Sequence, residues 1–130
     1  MRILLSLVIS SLLFGQAPDS MQSLSMQRPL DAVIAPDGSA VAYVLSRTNW
    51  EDNANESDLY LADVASGRNL KLTAGRKSAS SPAWSPDSKR IAFLSNRDGK
   101  QQIYLMPVGG GEAMQLTDHE TGINSFEWVQ

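Results

Sequence analysis

The chain repeats itself, and that repeat limits the folds open to it more than any other feature. "PAWSPDSKRIAFLSNRDGKQQIYLM", Pro82 to Met106, has a weaker copy in "VIAPDGSAVAYVLS", Val33 to Ser46. When the halves are overlaid, Pro36 and Asp37 fall on Pro86 and Asp87, "AVAYVLS" on "RIAFLSN" and "DLYLADV" on "QIYLMPV". The "SGRN" turn falls on "GGGE", and "LKLT" on "MQLT". The spacing is 50 residues from Asp37 to Asp87 but 44 from Tyr60 to Tyr104, so the first unit carries six extra residues. They lie in the polar stretch "RTNWEDNANESD", which is expected to be a solvated loop because an insertion there costs little loop entropy. Trp128 follows Trp84 by the same 44 residues, so Ser125 to Gln130 opens a third unit.

Each unit reads as strands and tight turns. Short runs of Val, Ile, Tyr, Phe and Leu alternate with clusters of Pro, Asp, Gly, Asn and Ser, and no segment after Arg28 sustains a helical period. Strands are expected near 31–35, 40–46, 58–63, 69–73, 81–85, 90–95, 102–107 and 113–117, with a last one at 125–129. In "SPDS" the proline presets φ and Asp87 accepts backbone N–H groups; Ser88, where glycine would supply positive φ, implies a turn that does without it. "NRDGK" supplies an Asp-Gly pair for the next hairpin. "IAFL" is apolar at consecutive positions, as expected of a strand covered on both faces. Four strands per unit at this period are the mark of a propeller blade, so the fold class is all-β, an incomplete β-propeller of four-stranded antiparallel blades.

Two blades in a row leave a bare outer face at each end. Burying one Val, Leu, Ile or Phe stabilises by roughly 1.5 to 3 kcal/mol, so five such residues left bare forfeit about 10 kcal/mol. Net stabilities are only about 5 to 15 kcal/mol. Residues 31–130 are therefore expected to be a partial propeller and a fragment of a longer protein.

Ahead of the repeats, "MRILLSLVISSLLFGQA" places Arg2 before an apolar stretch too short to span a bilayer, with Gly15 and Ala17 at the small-residue positions of a cleavage site. Residues 1–17 read as a helical signal peptide, the mature chain starts near Pro18, and residues 18–30 are a lead-in segment. The expected location is secreted or periplasmic. With no cysteine, the chain has no disulfide, no thiolate metal site, no cysteine nucleophile and no lipoprotein anchor. A net charge of -3 with scattered Lys and Arg argues against nucleic acid or an anionic membrane as partner.

Catalytic chemistry is not found in these residues. No G-x-S-x-G string occurs, and "GSA" at Gly38 to Ala40 belongs to a hairpin turn. The single histidine, His119, sits in the polar turn "TDHETG", flanked by Asp118 and Glu120 without a second imidazole, which suits neither a triad base nor a metal site. The carboxylates of "WEDNANESD" lack the spacing of a calcium loop, and Gly109 to Gly111 lack the helix and lysine of a phosphate loop. Asn55 to Ser57 is a formal glycosylation sequon. Trp84 and Trp128 repeat at blade spacing and are expected to pack between blades, whereas Trp50, in the insertion, is the candidate for contact with a substrate or another domain. No catalytic, cofactor-binding or metal residue is assigned, and no cofactor.

The stretch "PAWSPDSKRIAFLSNRDGKQQIYLMPVGGGEAMQLTDHETGINSFEW" resembles the PD40-type, WD40-like propeller repeats of prolyl oligopeptidase family serine peptidases, notably the acylaminoacyl-peptidase and dipeptidyl-peptidase-like branch. The leader and "RPLDAVIAPDGSAVAYV" resemble the start of such secreted bacterial enzymes. The resemblance implies an α/β-hydrolase domain C-terminal to this chain, holding the catalytic Ser, Asp and His, with a propeller that admits peptide substrates and excludes folded proteins. The alternative is a non-enzymatic periplasmic propeller similar to TolB, whose blades bind protein partners; the short distance from leader to the first "PDG" favours the peptidase.

Residues 18–130 alone are expected to aggregate or to unfold over a broad range in calorimetry. A sharp, reversible two-state melt of the monomer would overturn the fragment reading.

Overall fold

The computed structural model describes residues 27–73 and 78–129; the leader and most of the lead-in lie outside these described residues. The described residues form eight strands: β1 (Arg28–Ile34), β2 (Ala40–Asn49), β3 (Ala54–Asp63), β4 (Asn69–Lys71), β5 (Ala79–Trp84), β6 (Arg90–Ser95), β7 (Gln102–Pro107) and β8 (Met114–Gln115). They build two four-stranded sheets, ordered β1-β2-β3-β4 and β5-β6-β7-β8, with every neighbouring pair antiparallel. Each sheet is one blade, and no helix occurs among the described residues.

The innermost strand of each blade breaks step at the same place. In blade one Leu30 pairs with Val44 and Val33 with Ala42, so Asp31 and Ala32 together oppose one residue; in blade two Ser80 pairs with Leu94 and Ala83 with Ala92, so Ser81 and Pro82 do the same. This is a β-bulge, and its first residue takes positive φ in both blades, +46° at Asp31 and +51° at Ser81. It also explains a proline inside β5, because a bulged residue owes the ladder no N–H.

The blades meet along β5, which lies against β1, β2 and β3. Ala42, Val44, Leu59 and Leu61 of blade one share a core with Ile91, Phe93, Tyr104 and Met106 of blade two. Ile91, Ala92, Phe93 and Leu94 are all at most 2% exposed, so β6 is covered on both faces as its unbroken apolar run implies. Trp84 closes this junction: its indole Nε1–H donates to the Val33 carbonyl across the blade boundary at 3.0 Å. Trp128 makes the same bond to the Ala83 carbonyl at 3.2 Å. Trp84 therefore joins the two blades, as its spacing implied, and Trp128 ties the segment after β8 to the innermost strand of blade two.

Three local expectations are corrected. The insertion is not a solvated loop: the β2–β3 ladder continues through Ser46↔Ser57, Arg47↔Glu56, Thr48↔Asn55 and Asn49↔Ala54, leaving only Trp50 to Asn53 at the tip. Residues whose charges suggested solvent are paired instead, with Arg47 bridging the buried Glu56 at 2.8 Å. Ser88 does adopt positive φ, +60°, in the same turn where Gly38 has +73°. Its hydroxyl accepts the Asp37 N–H of the neighbouring blade at 3.1 Å, a bond glycine could not make. Finally, Ser125 to Val129 is not in a ladder, because no described strand runs beside it to take its hydrogen bonds.

Trp84→Phe keeps an aromatic ring but removes the donor and part of the volume. In the protein expressed from its complete coding sequence it is expected to destabilise the propeller by about 1–3 kcal/mol, read as a lower urea midpoint at unchanged slope.

Candidate functional site

The blade end carrying the β2–β3 and β6–β7 hairpins holds the polar chemistry of the chain, and a repeated threonine organises it. Thr73 Oγ1 accepts the Leu59 N–H at 3.0 Å and donates to Asp58 Oδ1 at 3.2 Å, while Lys71 Nζ sits 2.7 Å from Asp58 Oδ2. Forty-four residues on, Thr117 Oγ1 accepts the Ile103 N–H at 3.0 Å and donates to Gln102 Oε1 at 2.8 Å. The buried carboxylate of Asp58 and the buried amide of Gln102 thus occupy one repeat position with two solutions, an ion pair and a neutral network. Gln102 adds two bonds, from Nε2 to the His119 carbonyl at 2.8 Å and from the His119 N–H to Oε1 at 3.0 Å.

These bonds shape a cleft of about 520 Å³ between the β6–β7 hairpin and the segment after β8, lined by Asp98, Lys100, Gln102, Asp118, His119 and Glu120 among others. Asp98 was expected to be a turn residue only; its Oδ2 also accepts the Tyr104 hydroxyl at 2.6 Å. Lys100 Nζ donates to the Glu120 carbonyl. Arg97 lies over the stacked Phe93 and Tyr104 rings, 5.3 Å and 4.6 Å from their centroids. Tyr104 is 2% exposed, and burial, then its bond to Asp98, pushes its phenol up to about 12. No feature of the sequence pointed to the Asp98–Tyr104 pair, since it joins a turn to a strand through side chains alone.

The cleft offers hydrogen bonds and charge from Asp98, Lys100, Gln102, Asp118, His119 and Glu120. The His119 ring has Thr121 Oγ1 as its neighbour, 3.1 Å from Nδ1, and its backbone is tied down by Gln102. Among the described residues no group of three metal-ligating side chains occurs, and no helix is long and apolar enough to cross a membrane.

Trp50 projects from the tip of the extended hairpin at 55% exposure. Beneath it Asn49 acts as a hub: its Oδ1 accepts the Glu51 and Asp52 N–H groups, and its Nδ2 donates to Asp52 at 3.1 Å and Glu56 at 3.0 Å. Asn55, of the sequon, accepts the Thr48 hydroxyl at 3.2 Å. The opposite blade end carries the short turns. There the Ser39 hydroxyl and N–H hold the Asp37 carboxyl below its ordinary value, and the Ser85 hydroxyl and Lys89 N–H do the same for Asp87.

The family model described as PD40, TolB beta propeller domain, matches residues 30–129. A relative from Bacillus subtilis, the uncharacterized peptidase YuxL, is 38% identical over 99 residues, which are 75% of this chain and 15% of that protein. The crystal structure of an acylaminoacyl peptidase from Pyrococcus horikoshii aligns with a TM-score of 0.68 and 27% identity, over 82% of this chain and 16% of that one. A putative TolB from Agrobacterium tumefaciens aligns with a TM-score of 0.55 and 31% identity, over 69% of this chain and 31% of that one. The chain thus spans less than a third of each of these three proteins.

Tyr104 provides the pH test of the site. Because its folded value lies near 12 and its ordinary value is 10.0, its contribution to stability is complete below about pH 10 and lost as pH rises toward 12. Tyrosinate absorbance should show one phenol ionising near 12, and Asp98→Asn should move that midpoint down while burial keeps it above 10.0.

Proposed function

We propose that the chain, which belongs to the PD40 family of TolB β-propeller domains, is the propeller portion of an extracytoplasmic serine peptidase of the acylaminoacyl or dipeptidyl type. In this reading the propeller supplies shape and restricts access, so that peptides reach a hydrolase domain lying C-terminal to these residues and folded proteins do not. The observation that carries it is the alignment of both blades with an acylaminoacyl peptidase at a TM-score of 0.68. The 38% identity to a peptidase relative over 75% of this chain supports it. In the cleft Gln102 is bonded to the His119 backbone and the His119 ring lies beside Thr121, which supports a structural role for these groups. The apolar leader at residues 1–17 supports the location.

A second reading is a periplasmic TolB-like propeller that binds protein partners, favoured by the 31% identity to a putative TolB structure. The two differ in a serine nucleophile. The protein expressed from its complete coding sequence is expected to label with a fluorophosphonate probe and to release chromophore from acylaminoacyl or dipeptidyl substrates. Absence of both labelling and hydrolysis, with the protein folded, favours the TolB-like reading.

A further inference from the structure

Both blades carry an arginine at one repeat position, and only one of the two has an anion to pair with. Arg47 and Arg97 stand 50 residues apart, the spacing of Asp37 and Asp87. Arg47 lies opposite Glu56 in the extended β2–β3 ladder, and its Nε and Nη2 reach one Glu56 carboxylate oxygen at 3.1 and 2.8 Å. The β6–β7 ladder stops at Ser95↔Gln102, so Arg97 falls in the turn beyond it. The residue 44 positions after Glu56, the spacing of Tyr60 and Tyr104, is Lys100. Where blade one has a cation and a carboxylate, blade two has two cations.

Arg97 is held by rings instead. Its guanidinium lies 5.3 Å from the Phe93 centroid and 4.6 Å from that of Tyr104, and its Nε donates to Ser95 Oγ at 3.3 Å. Phe93 and Tyr104 are at most 2% exposed and stacked on each other, and the Tyr104 hydroxyl is tied to Asp98, so this platform is fixed. Among the described residues Arg97 forms no ion pair, and its two Nη groups donate to no partner. Residues 74–77, outside the described set, contain no carboxylate. Stacking offsets the desolvation of a half-buried cation without using its remaining N–H groups, and that planar fork of donors fits a carboxylate in bidentate fashion.

We propose that Arg97 is a carboxylate-recognition point of the propeller, taking the acidic side chain or the C-terminal carboxylate of a peptide at the blade end that carries the β6–β7 hairpin. This rests on the reading in which peptides are admitted at the propeller, and it names the chemistry by which they are selected. Because the side chain is already ordered on its rings, little conformational freedom is lost on binding.

The protein expressed from its complete coding sequence, treated with a fluorophosphonate so that no peptide is cut, is titrated with three fluorescent hexa-alanine peptides. One has a free C-terminal carboxylate, one is amidated with a central glutamate, and one is amidated and neutral. Fluorescence anisotropy should show at least one carboxylate peptide binding about tenfold more tightly than the neutral one, as for a hydrogen bond between charged groups. Which of the two does so identifies the source of the carboxylate. Arg97→Gln should abolish the preference and Arg97→Lys should keep only part of it, since lysine retains the charge without the fork. Lys89→Gln, at the opposite blade end, should leave it intact. Equal binding of the three peptides, or a preference that survives Arg97→Gln or falls equally in Lys89→Gln, overturns the site. Phenylglyoxal modification mapped by mass spectrometry tests it without a peptide: Arg97 should react faster than the ion-paired Arg47. An Arg97 that resists as Arg47 does already has an anion from elsewhere in the protein, and that too overturns the site. A protein that fails to label with the fluorophosphonate yet shows the Arg97-dependent preference loses the peptidase reading and keeps the site; one that labels without the preference does the reverse.

Discussion

An indole N–H reaching a backbone carbonyl across a blade boundary organises the described structure. The acceptors, Val33 and Ala83, each follow a bulge in the innermost strand, where one extra residue at positive φ turns the strand. Without the bulge the ladder would run straight through; without the tryptophan, the carbonyl beside it would lose a specific partner inside a partly buried seam. The bond also sets register. Once Trp84 sits at Val33, the alternate residues of β2 and β3 fall opposite those of β6 and β7, and a single core forms from Ala42, Val44, Leu59, Leu61, Ile91, Phe93, Tyr104 and Met106.

Polar groups carry the rest of each blade, and they repeat by function more than by residue type. Thr73 and Thr117 each bridge an outer-strand end back to a backbone N–H, yet one sits beside an Asp58–Lys71 ion pair and the other beside the Gln102 amide. The neutral version leaves no buried charge to compensate and turns its spare capacity to the His119 backbone, which shapes the cleft. A propeller position can therefore keep its hydrogen-bond geometry while its charge changes.

How much was legible before the structure varied with the range of the interaction. The bounds of β6 and β7 follow directly from "RIAFLS" and "QIYLMP", because the first run stops at Asn96 and the second closes on Pro107. The insertion was located but its form was not, since cross-strand pairs such as Arg47↔Glu56 convert a polar stretch into ladder and composition does not record pairing. Ser88 hid its positive φ because the compensating bond comes from Asp37 of the other blade. Ser125 to Val129 has strand composition yet no ladder, for a strand needs a neighbour as well as a sequence.

The sequence by itself determined the repeat, the four strands of each unit, the turn positions and the blade-joining role of Trp84, because spacing and turn chemistry are local or periodic. Only the tertiary structure decided where the tryptophans donate, why Pro82 is tolerated in a strand and how Tyr104 meets Asp98. Those depend on two sheets meeting at a defined angle and register, where residues about 50 positions apart come within hydrogen-bond distance.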